Sequence, residues 1–473
     1  MGINLRKGSI ATYCALAVAV LVGCYLRLRN IKDTGLWLDE AFSVAVSDPD
    51  NSFIDVFRAT LSDVHPPFYQ ILLWAYYHCF GFSEFSGRYL SAGLGVLLIP
   101  SVFVLGRKLL DERVALVFAW LVAINYFLIG YSHETRSYAL LVFLTVVSFI
   151  VFLRCVRQSG FFDFCCYSVV SALLVNTHYY GYLIVLVQAS WVFCSLLEKS
   201  LPAGVFYRFM GAGFFTALTF VPGFSYTKRA LARHDFWISP PEDMFFFRIF
   251  LVYFGDAFLA FLAAMIFIAG FILFTINDQR KEPFRLLVFW LVLGVAVPYI
   301  CSVYFLPVTT YRNFIILLPA VLLVMAFAVD SIRDKVIKAL VLTLFLCFSA
   351  TPILKDISKF ADEKSSGANG MQIREIVRSV IGKKSALPVY SSDDIQFGVY
   401  FKLLGSKVHV EDLAKLETDL GSASPPEEFY FLETTYFKSL ALNEEFLKRF
   451  NLVLVSKEEM NEVRLLELRS LKP

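Results

Sequence analysis

Asp39 and Glu40 stand side by side in Leu36-Trp37-Leu38-Asp39-Glu40, just past the first long apolar run of the chain. An ionised carboxylate beside hydrocarbon costs free energy to keep dry, and one that persists there is functional by default. Two adjacent carboxylates suit proton abstraction, one as the base and its neighbour either orienting the reactant or raising the basicity by like-charge coupling. They also suit the first turn of a helix, whose open N–H groups and dipole favour anions. Further polar clusters follow, each at the end of an apolar run: His65-Pro66-Pro67, Ser132-His133-Glu134-Thr135-Arg136-Ser137-Tyr138, Asn176-Thr177-His178-Tyr179-Tyr180, Lys228-Arg229 with Arg233-His234-Asp235, and Thr309-Thr310-Tyr311-Arg312-Asn313. Each has a structural alternative. His65 before two prolines can end a helix, Glu134 and Arg136 can pair at a helix terminus, His178 among tyrosines fits an interfacial belt, and Lys228 to Arg233 fits a solvated juxtamembrane stretch.

The elements that must position these groups belong to a membrane. Apolar residues make up 58% of the 473, charged residues 18%, with 49 Phe and 23 Tyr, more than a soluble core requires. A net charge of +3 is too small to argue for nucleic acid. The nine cysteines lie almost all inside apolar runs, without metal-ligand spacing, and read as small core residues. Arg6-Lys7 and the run after them imitate a signal peptide, but Cys24-Tyr25-Leu26-Arg27 is a poor cleavage site, so an uncleaved first helix is expected.

Lys and Arg collect in cytoplasmic loops. Clusters at Arg6-Lys7, Arg107-Lys108 with Arg113, Arg154 with Arg157, Lys199 with Arg208, Arg280-Lys281 with Arg285, and Arg333 with Lys335 and Lys338 therefore mark the inside. Between them lie apolar runs near 8–28, 88–106, 114–131, 137–153, 161–177, 181–198, 205–224, 257–276, 286–306, 313–329 and 338–353, about eleven spans. Residues 68–82 are too short and polar for a crossing and would invert every later loop. They read as a surface helix of the first external loop, beside an amphipathic one over 51–63. Every polar cluster then falls at an external span end, the pattern of one outward-facing site.

In order and spacing, the Asp-Glu pair, His-Pro-Pro, Arg88-Tyr89-Leu90-Ser91, Tyr131-Ser132-His133-Glu134-Thr135-Arg136-Ser137-Tyr138, Thr177-His178-Tyr179 and Tyr311-Arg312 resemble the GT-C glycosyltransferases, in the branch of the protein O-mannosyltransferases and the lipid A aminoarabinose transferases. The likeness runs over roughly residues 1–350. It implies a hexosyl or pentosyl transfer from a polyprenyl-phosphate carrier, with inversion, to a glycan, lipid or protein acceptor on the external or periplasmic face of the plasma (inner) membrane. On that reading Asp39 is the base and Glu40 its partner. Arg136 and Arg312 clamp the lipid phosphate, because guanidinium forks match phosphate oxygens. His65, Glu134, Tyr138, His178 and Tyr311 line the substrate site, and Lys228, Arg229 and Arg233 form a lid over the donor headgroup. No obligatory cofactor or metal is expected, although Asp39, Glu40 and His65 are of types that bind a divalent cation. No phosphate-cradling glycine loop precedes a helix, which fits a lipid-linked donor better than a nucleotide sugar.

The expected fold is thus an all-α polytopic membrane domain over 1–354 and a soluble α/β domain over 355–473, placed outside by the odd number of spans. A linker over 361–370 leads to short strands at Leu387-Pro388-Val389-Tyr390, Lys407-Val408-His409-Val410, Phe429-Tyr430-Phe431-Leu432 and Leu452-Val453-Leu454-Val455, alternating with helices near 371–381 and 440–450. Two rivals share the charged span ends: a transporter or flippase of lipid-linked sugars, and a non-catalytic scaffold. Against the transporter stand the missing internal repeat and polar clusters on one face instead of the midplane. A scaffold would leave Asp39 and Glu40 dispensable.

Overall fold

The computed structural model describes residues 9–62, 66–158, 160–223, 228, 238–277, 280–355, 372–383, 387–434, 442–461 and 463–471. The chain forms two compact units, one of Met1–Arg29, Asn51–Ala75 and Arg88–Ile357, the other of Asn30–Asp50, Tyr76–Gly87 and Ser358–Pro473. The second unit therefore gathers two pieces of the first inter-span loop around the C-terminal segment.

In the first unit, eight helices among the described residues are long and apolar enough to cross a membrane: Ile10–Leu28, Ser86–Leu109, Tyr138–Gln158, Tyr180–Leu197, Ala257–Ile276, Lys281–Tyr304, the stretch Asn313–Ser331 and Lys335–Ile353. The protein is an integral, multi-pass membrane protein. The runs expected over 161–177 and 205–224 are helical as Phe161–Val175 and Ala203–Phe220, but fall outside those eight, so length and composition do not establish a count of eleven. The run expected over 114–131 is broken into Glu112–Ala123 and Tyr126–Tyr131. Asn125 causes the break: its side chain accepts from Leu128 N–H at 3.0 Å, capping the second helix, and donates to the Tyr253 carbonyl at 3.1 Å. In the first loop, Phe53–Ser62 and Phe68–Phe80 are the two short helices expected there. Ser52 and Asp55 bond each other's chain at the start of the first of them, with 2.6 Å between hydroxyl and carboxylate.

Leu318–Ser331 is apolar on every side and is buried from Leu318 to Val329, as a helix at the centre of a bundle must be. Phe327 stacks on Phe274 of Ala257–Ile276 with centroids 4.0 Å apart. Gly270 permits this approach, since a Cβ there would lie 2.4 Å from the Val324 carbonyl oxygen. Trp290 stacks on Phe149 at 3.8 Å and donates to the Ile316 carbonyl at 2.9 Å.

The helix ends sort into two sets by their contacts. At one end the basic loops meet: Arg280 pairs with Asp111 at 2.8 Å, Arg154 with Asp163 at 2.8 Å, Arg285 with Glu198, and Arg157 donates to the Lys108 carbonyl at 2.6 Å. At the other end Phe68 N–H donates to the Asn176 carbonyl at 2.9 Å and Tyr180 hydroxyl to the Val308 carbonyl at 3.0 Å.

The second unit carries a five-stranded sheet in the order β2-β1-β3-β5-β4, with β1 Val389–Ser391, β2 Val410–Asp412, β3 Glu428–Thr434, β4 Leu452–Met460 and β5 Val463–Ser470. β2, β1 and β3 are parallel, and β5 runs antiparallel between β3 and β4. One side packs on Ile373–Gly382 and Asp394–Leu403 through Ile376, Val377, Phe397 and Phe401. Leu36, Ala41 and Val44 of the first loop are buried in that same core.

Candidate active site

Asp39 and Glu40 open the helix Leu38–Val46 of the second unit. Trp37 is extended and supplies the N-cap backbone, and its N–H lies 3.4 Å from the Glu40 carboxylate. Glu40 is 1% exposed, so this carboxylate closes the first turn of its own helix. Asp39, half-buried one position earlier, is the more accessible of the two. The helix dipole favours an anion at both positions.

The other described candidates lie in the first unit, where the loop between Tyr126–Tyr131 and Tyr138–Gln158 meets the segments around 178 and 312. Tyr138 is the hinge of the cluster. Its ring lies 5.7 Å from the His178 ring and 4.9 Å from Tyr131, and the Arg312 guanidinium sits 5.8 Å from its centroid. His178 accepts from Tyr180 N–H through Nδ1 at 3.2 Å, which leaves the proton of a neutral ring on Nε2. Arg136, Arg312, Tyr138 and His178 are all buried, while Glu134 is half-buried. Tyr311 stacks on Phe245 at 4.6 Å with the rings 5° from parallel, so it packs the segment that carries Arg312. Lys228 is exposed. His65, Arg229 and Arg233 lie outside the described residues, as do Phe236 and Trp237.

Two cations of this region went unselected among the sequence candidates. Arg27 is 0% exposed at the end of Ile10–Leu28 and donates to the carbonyls of Val122 and Ala123 at 3.0 and 2.9 Å, closing the C-terminal end of Glu112–Ala123. Arg88, 1% exposed, opens the next span. The available signal was a charge lodged in an otherwise apolar helix. Their effect is legible at His133, between them: burial first, then the guanidiniums of Arg88 and Arg27, push its imidazole down to about 4, so it is neutral at physiological pH. The Arg312 guanidinium, buried at the Tyr138 ring with the His178 ring also beside Tyr138, makes a setting that favours a bound anion. No three His, Cys, Asp or Glu side chains among the described residues are grouped to hold a metal ion.

A family model for dolichyl-phosphate-mannose-protein mannosyltransferase matches residues 64–222. No curated protein matches the sequence. Among solved structures, the chain is similar to ArnT from Cupriavidus metallidurans, with a TM-score of 0.63 at 13% identity over 97% of this chain and 98% of that one. The same protein bound to undecaprenyl phosphate gives 0.63 at 12%, with the same coverage. The archaeal oligosaccharyltransferase AglB from Archaeoglobus fulgidus, in complex with an inhibitory peptide and a dolichol-phosphate, gives 0.56 at 12% over 91% of this chain and 70% of that one. From the first helix to the C-terminal sheet, this chain has the GT-C fold of membrane glycosyltransferases.

Proposed function

We propose that the protein is a glycosyltransferase that moves a hexose or pentose from a polyprenyl-phosphate carrier to a glycan, lipid or protein acceptor, by one inverting displacement on the external face of the membrane. The observation that carries this reading is the buried grouping of Arg312, Tyr138 and His178 at one end of a GT-C bundle, with Arg136 buried in the same loop just before Tyr138. Solved relatives of the fold are described with undecaprenyl phosphate and with dolichol-phosphate. The positive-inside rule supports the external assignment, because the basic loops gather at the other end of the bundle.

In this scheme the acceptor oxygen bonds to the anomeric carbon as the bond from that carbon to the carrier phosphate oxygen breaks. The acceptor proton passes to Asp39, and the electron pair leaves on the phosphate. Arg136 and Arg312 stabilise the charge that grows there. Glu40 holds the helix that presents Asp39, and Glu134, His178 and Tyr138 supply polar and ring surface to the sugar. Lys228, Arg229, Arg233 and His65 are further donor contacts on this reading. The scheme uses no obligatory metal, so activity should survive EDTA.

The test uses purified full-length protein with synthetic lipid-linked sugars and candidate acceptors. Asp39→Asn keeps the shape of the side chain and removes its basicity, so transfer should fall by about two to four orders of magnitude, with donor binding retained. Full activity in that variant would remove Asp39 from the chemistry. Donor movement across proteoliposomes without transfer to any acceptor would favour a flippase.

A further inference from the structure

We infer that the C-terminal domain aims the candidate base, through Tyr400 and Gln396 acting as positioning residues on the segment that enters the Asp39 helix. This rests on the glycosyltransferase reading for its catalytic consequence, but not for its geometry.

Both backbone groups of Leu36 are taken by side chains more than 350 residues away in sequence. Leu36 N–H donates to the Tyr400 hydroxyl at 2.6 Å, and Gln396 Nε2 donates to the Leu36 carbonyl at 2.9 Å. Leu36, Gln396 and Tyr400 are 1%, 2% and 1% exposed, so water cannot replace either bond. A hydroxyl has one proton to give. Because the Tyr400 oxygen accepts from Leu36, its own proton goes to Glu84 Oε1, at 2.8 Å. Arg374 holds that carboxylate with two bonds, Nε to Oε2 at 3.0 Å and Nη2 to Oε1 at 2.7 Å. The direction of the whole relay is thereby fixed: donation runs from the Leu36 N–H to the phenol and from the phenol to the Glu84 carboxylate, to which Arg374 also donates.

The far end of the helix is tied as well. Lys402, two residues beyond Tyr400, pairs with Asp48 at 2.5 Å and Asp50 at 2.6 Å, just after Leu38–Val46 ends. Between these ties Ala41 and Val44 are buried against Phe397, Tyr400 and Phe401. Asp394–Leu403 thus grips the helix before its start, along its apolar face and after its end. Glu40 caps the first turn from within, and the C-terminal domain sets where that turn points. Catalysis by a positioned base is steep in geometry, and a displacement near 1 Å can cost about a hundredfold.

Tyr400→Phe removes one oxygen and leaves the ring in place. It orphans Leu36 N–H without opening a cavity. With the full-length protein in nanodiscs, kcat should fall about tenfold while the KM for the lipid-linked donor stays within twofold. Combined with Asp39→Asn, Tyr400→Phe should cost nothing further, because a positioning residue has no effect once the group it positions is inactive. Gln396→Glu, which keeps the size but loses the donor, should behave alike. Unchanged kcat, or an effect that adds in full to Asp39→Asn, would overturn the inference. Hydrogen exchange supplies a readout independent of activity: peptides over 36–41 should lose at least tenfold protection in Tyr400→Phe, with peptides over the sheet unchanged. Unaltered protection there overturns the positioning role even in a protein with no measurable transfer, and lost protection in such a protein would sustain the positioning while the glycosyltransferase reading fails.

Discussion

Arg136 and Arg312 come from distant spans and are both buried, Arg312 at the Tyr138 ring and Arg136 in the loop just before Tyr138, and it is their geometry more than their charge that should matter. Arg312 lies over the Tyr138 ring, an arrangement that favours a planar, weakly hydrated cation. Arg136→Ala and Arg312→Ala should each reduce kcat/KM for the lipid-linked donor by about 2 kcal/mol, roughly thirtyfold. Arg312→Lys should recover only part, and donor titrations in which both alanine variants match the parent would take the pair out of the site. His133 gives the second prediction at this scale. Its folded pKa of about 4 lies below the ordinary 6.5, so between those values the unfolded chain binds a proton that the folded one refuses. Stability should therefore rise with pH through that window and fall on acidification, by roughly 3 kcal/mol when both limits are crossed. His133→Gln should flatten this part of a pH-resolved thermal unfolding curve. Donor binding should show no titration near pH 6.5 that His133→Gln abolishes.

Among the elements, close contact with the central helix sets the tolerances. Gly270 faces the Val324 carbonyl with no room for a Cβ, so Gly270→Ala should push Ala257–Ile276 off Leu318–Ser331 and cost about 1–3 kcal/mol, read as a lowered unfolding temperature in detergent. Gly211, where a Cβ would meet nothing within 4 Å, should accept alanine freely. What could be read ahead follows the same physics. Long apolar runs announce spans because nothing else satisfies their backbone in lipid. The break at Asn125 was hidden, because one polar residue in an apolar run is legible as a cap only when its partner, the Tyr253 carbonyl, is known. Strands β1 to β4 follow from β-branched and aromatic runs, whereas Val463-Arg464-Leu465-Leu466-Glu467-Leu468-Arg469 is made mostly of helix formers and becomes β5 through tertiary pairing on both edges. In the site, Asp39 and Arg136 stood out as charges at apolar run ends. The clamp on Leu36 has no local signature, since its partners lie 360 and 364 residues away.

For the whole molecule the decisive question is which end of the bundle faces out. Ion pairs tie the loops at Asp111, Asp163, Glu198 and Arg280 into one basic end, and the aromatic and arginine cluster around Tyr138 belongs to the opposite ends of those helices. Lys and Arg in short loops resist translocation, so the basic end should be cytoplasmic. Single cysteines, in a background whose native cysteines are alanine, test this with a membrane-impermeant maleimide on intact cells. Arg113→Cys and Lys199→Cys, both at exposed positions of the basic loops, should label only after permeabilisation. Lys228→Cys and Lys457→Cys, exposed in the first and second units, should label before it. A shielded Lys457→Cys would put the unit that carries Asp39 in the cytoplasm, away from any acceptor on the external face. Labelling of Arg113→Cys on intact cells would invert the bundle, and the lipid-linked donor would then have to be presented from the cytoplasmic leaflet.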